Sequence, residues 1–265
     1  MVLEKLFSTT KIETGMPYFD QITGGGFPRP AAIALIGGVD GGKELLIRQI
    51  IWKLLQKGAK VLYYSVSQSA EELRYDMQSY GWDVKPFEKK GALRIVDVFT
   101  HASERMSKEF MVKESNDFNF NEMGELSFHK DVYDLNMIYD EGKKFIPVLS
   151  RGSPVRIAVF DSISPLFSTN TEGVFQMIHG LKFATRLSKA IGVGIMHSNV
   201  HDKQTEETFK SLADAIIEVD RVGTGTSSYV VISKYPGEHK RGPFPFETSR
   251  IGGKIIPVEM PDLIM

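Results

Sequence analysis

The chain has 265 residues, of which 42% are hydrophobic and 25% charged, a composition typical of a globular protein with room for one large α/β domain. Lys and Arg number 32 against 33 Asp and Glu, so the net charge of -1 provides no global attraction to nucleic acid or to an anionic membrane. The sequence contains no cysteine, which excludes disulfides, thiolate metal sites and cysteine nucleophiles.

No segment of the sequence reaches the ~18 to 20 consecutive apolar residues that a bilayer-spanning helix needs. The opening segment MVLEKLFS has too short an apolar stretch for a secretory signal peptide. We therefore expect a cytoplasmic protein that makes no membrane contact.

Apolar, β-branched runs alternate with helix-like patterns along the chain, which predicts βαβ units and a mostly parallel sheet. The runs are almost unbroken, as is typical of strands that helices cover on both faces. The predicted strands are 32–37, 60–66, 93–98, 155–161, 192–197, 215–219 and 229–234.

Helices are predicted at 43–57, where Leu46, Ile50 and Leu54 form an apolar stripe, and at 171–190. A third helix starts at a capping signal, Ser69 followed by Glu72, and runs to residue 80. The polar stretch from about 100 to 150 has no clear period. We expect it to be an irregular insertion with short helices, or a mobile flap, within a single domain spanning 1–265.

The sequence GGVDGGKE lies between a predicted strand and a predicted helix, the context of a phosphate-binding loop. Glycines let successive backbone N–H groups turn toward an anion, and the helix N-terminus adds partial positive charge. The lysine is placed to reach the β- and γ-phosphates of a nucleotide. The alternative is a Gly-rich turn without a ligand. The candidate nucleotide-binding residues are Gly37, Gly38, Val39, Asp40, Gly41, Gly42, Lys43 and Glu44.

Glu44 departs from the usual form of this motif. A Ser or Thr hydroxyl that coordinates Mg²⁺ normally follows the lysine. A glutamate is larger and places negative charge beside phosphate oxygens. Either Mg²⁺ binding is altered, or the Glu44 side chain turns away from the site.

Residues 14–28, TGMPYFDQITGGGFP, resemble the TG-x-P-x-x-D-x-x-x-GGG-x-P motif of the archaeal RadA and KaiC-like branch of RecA ATPases. The similarity continues at 61–65, 70–73, 80–83, 159–162, 196–199, 212–217, 234–239 and 245–246, and leaves only about 100–150 unmatched. The resemblance implies a RecA-like P-loop NTPase fold, with a mostly parallel central sheet flanked by helices on both faces, and ATP with Mg²⁺ as ligands.

Asp161 ends a predicted strand and matches the family's Walker B aspartate, which implies Mg²⁺ binding, directly or through water. The alternative is a capping role at the strand end. Asn199 lies where the family has its sensor residue, and Lys234 matches a lysine that the family offers to a neighbouring subunit's phosphate. Pro236 stands where the family has an arginine.

Ser67 and Gln68 lie where the family places its general base, a glutamate. Neither side chain is a base at neutral pH, so Gln68 is a candidate only for orienting a water molecule. The alternative is a polar strand end without a catalytic role.

These departures fall on catalytic positions while the scaffold motifs are kept. They predict an ATP-binding protein with weak or absent hydrolysis, a pseudo-ATPase that acts as a regulatory or assembly switch. Two alternatives stay open: an interaction module that has lost nucleotide binding and docks a peptide or protein, and an active ATPase with a non-standard base. The resemblance implies a homo-oligomer. DNA is not an expected partner, because no basic-aromatic groove is evident.

Overall fold

The structure is a computed structural model that describes residues 9–113, 133–149, 155–221 and 227–256. The strands are β1 (Thr10–Ile12), β2 (Phe27–Arg29), β3 (Ala31–Gly37), β4 (Lys60–Ser65), β5 (Leu93–Asp97), β6 (Arg156–Asp161), β7 (Ile191–His197), β8 (Ala215–Arg221), β9 (Ser228–Lys234), β10 (Pro243–Ser249) and β11 (Gly252–Ile255). The helices are α1 (Pro17–Ile22), α2 (Lys43–Gln56), α3 (Ala70–Ser79), α4 (Lys85–Lys89), α5 (Val98–Lys113), α6 (Leu135–Leu149), α7 (Ser164–Phe167), α8 (Thr171–Ser188) and α9 (Lys203–Leu212).

Nine strands form one sheet in the order β11-β10-β9-β8-β3-β7-β6-β4-β5. The segment from β8 to β5 is parallel throughout, and β9, β10 and β11 extend it as antiparallel strands. β1 and β2 pair separately. The predicted α/β fold with a mostly parallel central sheet is confirmed.

Helices cover both faces of the sheet because each central strand is apolar on both sides. In β3, Ile33 and Leu35 belong to a core that includes α2 residues, whereas Ala34 and Ile36 belong to a second core that includes residues of α8 and α9. The two cores lie on opposite faces, since successive side chains of a strand alternate.

The predicted strands correspond to β3 through β9, and the predicted helices to α2, α3 and α8, with every bound within two residues. At the start of α3 the capping box is present: Ser69 Oγ accepts a hydrogen bond from the Glu72 N–H, and Glu72 Oε2 accepts one from the Ser69 N–H. β10, β11 and the β1–β2 pair are not among the strands that the apolar pattern predicts. None of the helices in the described ranges is long and apolar enough to cross a membrane.

The stretch predicted as an irregular insertion is helical at both ends. α5 has 16 residues and α6 has 15. Ile138 of α6 is buried in the second core, and its carbonyl accepts a hydrogen bond of 3.2 Å from the Tyr64 hydroxyl. The rest of that prediction falls on residues 114–132 and 150–154, outside the described ranges.

Candidate nucleotide-binding site

The carboxyl ends of four adjacent parallel strands place the predicted functional residues along one edge of the sheet. Gly37 at the end of β3 pairs with His197 at the end of β7, and Ser65 of β4 pairs with Asp161 of β6. Ligands of open parallel sheets bind outside this edge. The fold therefore brings together the phosphate loop, Asp161 and the loop that carries Gln68.

The phosphate loop, residues 37–44, is shaped by close backbone packing. A Cβ added at Gly37 would lie 1.8 Å from the carbonyl oxygen of Val219 on β8. Gly42 caps α2 in the left-handed region, with φ of 90°, which favours glycine. The N–H of Gly41 donates to the Gly38 carbonyl at 3.1 Å. The glycines give the loop the open backbone that an anion needs, and they also let it pack against β8.

Lys43 lies fully buried at the first position of α2. Its Nζ donates to the Gly38 carbonyl at 2.7 Å and lies 2.8 Å from Oε1 of Glu44. His197 Nδ1 is 3.8 Å from the same Glu44 oxygen. The Glu44 side chain therefore does not turn away from the site; it pairs with the lysine that would hold the phosphates.

Asp161 is held by two side chains that are not among the site residues predicted from the sequence. Its Oδ2 accepts hydrogen bonds from Arg48 Nη2 at 2.7 Å and Nε at 3.2 Å, and from the Tyr63 hydroxyl. The Asp161 side chain is 4% exposed and that of Arg48 14%. The Walker B position therefore carries a buried, hydrogen-bonded ion pair.

Strand alternation explains why these groups meet. Val61 and Tyr63 of β4, like Ile157 and Val159 of β6, face the core beneath α2, and Asp161 continues the β6 alternation. Arg48 extends from α2 onto the same face. The available sequence signal was an arginine within a helix whose neighbours Leu46, Ile47, Ile50 and Ile51 are apolar and buried.

The pKa directions agree with this pairing. Burial and the Asp161 charge raise the pKa of the Tyr63 hydroxyl, so Tyr63 stays protonated and donates. Burial alone would lower the pKa of Arg48, but Tyr63 and Asp161 raise it overall. Arg48 is therefore a permanent cation beside Asp161.

The residues at the two usual Mg²⁺ positions do not fit an ordinary magnesium site. P-loop NTPases hold the ion with a loop hydroxyl and a Walker B aspartate. Here Glu44 replaces the hydroxyl and pairs with Lys43, while Asp161 pairs with Arg48. Within the described ranges, no group of three or more His, Asp or Glu side chains is placed to hold a metal ion.

The position of the expected general base holds no carboxylate. Ser67 Oγ accepts a hydrogen bond from the Ser162 N–H at 3.2 Å, and the Gln68 carbonyl accepts one from Ser65 Oγ at 2.6 Å. The Gln68 Nε2 is buried and has no hydrogen-bond partner in the part of the chain that the structure describes. Because this amide nitrogen has unused hydrogen-bond donors, Gln68 stays a candidate for orienting a water molecule.

Asn199 follows Ser198, whose N–H donates to the Gly37 carbonyl at 3.0 Å, whereas Lys234 pairs with Ile216 near the start of β8, the end of that strand remote from the phosphate loop. Asn199 is exposed with φ of 60°, and its N–H donates to Glu206 at 2.7 Å. Lys234 ends β9, and its Nζ donates to the Ala213 carbonyl at 2.6 Å, next to the start of β8. These two hydrogen bonds are made to Glu206 and to Ala213 of the same chain, and neither involves the phosphate loop. A role for Lys234 at a neighbouring subunit's site stays a prediction.

A cavity of about 380 Å³ adjoins the loop, a size within the usual range of small-molecule sites. It lies between α2, the end of α3 and β10. Its lining includes Gly42 and Glu44 from the loop, Arg48 from α2, and the aromatic residues Tyr80 and Trp82. The phosphate loop therefore opens into a space that has both polar and aromatic walls.

The family model of the KaiC ATPase matches residues 12–259. The chain belongs to the KaiC ATPase family. It is thus a RecA/KaiC-like P-loop protein of a nucleotide-binding family.

Several proteins resemble this KaiC-family chain. A UPF0273 protein of Thermotoga maritima is 27% identical over 259 residues, covering 94% of this chain and 97% of that protein. A UPF0273 protein of Pyrococcus horikoshii is 37% identical over 102 residues, which are 38% of this chain and 41% of that protein. The crystal structure of a KaiC-like protein from Pyrococcus horikoshii matches with a TM-score of 0.70 at 20% identity, covering 94% of this chain and 100% of that one. At this identity the structural match shows the fold.

His197 gives the site a pH dependence. Burial and the nearby Lys43 charge lower the pKa of His197 below its ordinary value of 6.5, and the Glu44 and Asp161 charges oppose the shift only in part. The unfolded chain therefore takes up this proton at higher pH than the folded chain. As a result, the free energy of unfolding falls as the pH drops through about 6.5.

We predict that His197→Gln removes this contribution. Urea unfolding measured between about pH 5 and 7.5 should show a shallower loss of stability in the variant than in the wild type. Exposed His179 serves as the control, and His179→Gln should leave the profile unchanged. Parallel profiles for His197→Gln and the wild type would contradict the prediction.

Proposed function

We propose that this protein binds ATP at the phosphate loop, hydrolyses it slowly or not at all, and acts as a nucleotide-dependent regulatory or assembly switch. The observation that carries the proposal is the state of Asp161, whose carboxylate is buried and paired with Arg48 and Tyr63. A carboxylate engaged in this way is not available for the metal chemistry that speeds phosphoryl transfer.

The environment of the loop supports binding and argues against turnover. The glycine-shaped backbone, the buried Lys43 and the adjoining cavity suit a nucleotide. Ser67 and Gln68 supply no carboxylate base, and Pro236 provides no positive charge. Phosphoryl transfer in this class depends mainly on electrostatic stabilisation and on a positioned water molecule. The groups that provide these are missing here, whereas the groups that bind the phosphates are present.

One observation favours the alternative that nucleotide binding has been lost. Lys43 already has two partners, the Gly38 carbonyl and the Glu44 carboxylate, so an incoming phosphate must compete with Glu44. In that case the protein would be an interaction module for a peptide or protein. Self-association and a cytoplasmic location belong to the proposal as well.

Lys43→Ala tests the proposal. A charged hydrogen bond to phosphate contributes about 1.5–3 kcal/mol, so the variant should bind ATP about 10- to 100-fold more weakly in calorimetric titration. Lys89→Ala, at an exposed position of α4, is the control and should bind like the wild type. Phosphate release by the wild type should not exceed that of Lys43→Ala.

Two other outcomes of these assays would favour the alternative functions. Phosphate release well above the Lys43→Ala level would show an active ATPase with a non-standard base. If the wild type binds no ATP at millimolar concentration, the proposal fails and the interaction-module alternative stands.

A further inference from the structure

The two acidic side chains at the metal positions of this site are each neutralised by a cation from the chain itself. Glu44 Oε1 lies 2.8 Å from Lys43 Nζ, and Asp161 Oδ2 lies 2.7 Å from Arg48 Nη2. Both cations come from the first two turns of α2, five residues apart. The site therefore contains two internal ion pairs where a metal ion would usually balance the acidic groups.

Arg48 is fixed on several sides. Besides its contacts with Asp161, its Nη1 lies 3.3 Å from Asp76 Oδ2 on α3, and its Nε lies 3.4 Å from the Tyr63 hydroxyl. Tyr63 itself donates to Asp161. Partners on α3, β4 and β6 thus hold the guanidinium against the Walker B carboxylate. A cation arriving from solution would have to displace a buried, hydrogen-bonded arginine.

We propose that this phosphate loop takes ATP without Mg²⁺, with Arg48 filling the metal's place beside Asp161. The inference rests on the proposed function and specifies the form of its ligand. It differs from the family's expected use of Mg²⁺ with ATP, and the residues that make the difference are Glu44 and Arg48.

The remaining donors suit an uncomplexed phosphate chain. The loop and the first turn of α2 supply backbone N–H groups, which need no metal to bind an anion. Lys43 must exchange the Glu44 carboxylate for a phosphate oxygen, so Glu44 competes with the phosphate for the same cation. Arg48 also lines the cavity beside the loop, next to the acidic residues Asp40, Glu44 and Asp76.

Calorimetric titration of the full chain with ATP in excess EDTA, repeated in excess Mg²⁺, tests the inference. We expect ATP to bind in EDTA and Mg²⁺ not to tighten that binding, because the ion finds no ligand in the site and complexes the ATP in solution. A metal ion that bound together with the nucleotide would typically tighten its binding about 5- to 150-fold. Binding that appears only with Mg²⁺ would overturn the inference and leave the proposed function standing. No binding in either buffer would instead overturn the proposed function.

A double variant tests the roles given to Glu44 and Arg48. Glu44→Thr with Arg48→Met restores the loop hydroxyl and frees Asp161, so Mg²⁺ should now tighten ATP binding by about tenfold or more. Glu71→Thr, at the equivalent second position of α3, is the matched control, and Mg²⁺ should not tighten its ATP binding. A folded double variant that remains insensitive would refute the roles given to Glu44 and Arg48.

The single variant Glu44→Thr covers the case in which the double variant does not fold, as judged by circular dichroism. Loss of the competing carboxylate should tighten ATP binding in EDTA by about tenfold. Unchanged or weaker binding in EDTA would count against the inference.

Discussion

Arg48→Met is expected to lower the free energy of unfolding by about 3–5 kcal/mol, because it leaves the Asp161 carboxylate buried without its cation. Asp161 would keep the Tyr63 hydroxyl, which cannot neutralise a charge. Urea unfolding followed by circular dichroism measures the change. The magnitude follows from the position of the pair, since both side chains are largely excluded from water.

Arg74→Met is the matched control for this experiment. Arg74 also makes two hydrogen bonds to one carboxylate, that of Glu88, at 2.8 Å each. That pair is 31% and 23% exposed, so its loss should change the free energy of unfolding by only about 1 kcal/mol or less. Adding Asp161→Asn to Arg48→Met should recover much of the loss. If Arg48→Met and Arg74→Met cost the same, the buried-pair interpretation is wrong.

Gly37→Ala is expected to destabilise the protein by at least the ~1–3 kcal/mol typical of overpacking, and to reduce ATP binding. The added Cβ would lie 1.8 Å from the Val219 carbonyl oxygen and 2.8 Å from its carbon. Both are backbone atoms of the central strand β8, so no side-chain rotation relieves the overlap. Moving β8 away from the loop would also displace the residues that shape the phosphate site.

Gly180→Ala provides the control of opposite sign. Gly180 lies within α8, is exposed, and a Cβ there meets nothing within 4 Å. Alanine should therefore stabilise the helix by about 0.5–1 kcal/mol. Thermal unfolding of the two variants should shift in opposite directions. A Gly37→Ala protein as stable as the wild type would show that the loop does not depend on its packing against β8.

Local sequence signals were sufficient for the regular elements. The strands β3 to β9 are continuous apolar runs, and α2 and α3 carry an apolar stripe or a capping box, all of which depend on neighbours a few residues apart. The β10 and β11 strands were missed because Pro243 and Pro245, together with Gly252 and Gly253, lower their strand propensity. Pairing with β9 and packing against α2 overcome that local preference.

In the candidate site, too, some features follow from local sequence and others depend on the fold. The sequence by itself determined the phosphate loop and its chain position, because a strand, a glycine-rich turn, a lysine and a helix are contiguous. It also determined that Glu44, Ser67 and Gln68 lack the expected chemistry, since side-chain identity needs no fold.

Only the tertiary structure decided what Asp161 and Glu44 do. Arg48 and Asp161 are separated by 113 residues, and Tyr63 and Asp161 by 98, so their contact depends on β4 lying beside β6 beneath α2. Strand order and register are global properties that no local pattern contains. The pairing of Glu44 with Lys43 likewise depends on the burial of the lysine, whose side chain is 0% exposed. The physical reason is that charge pairing depends on distance and burial, which the fold sets.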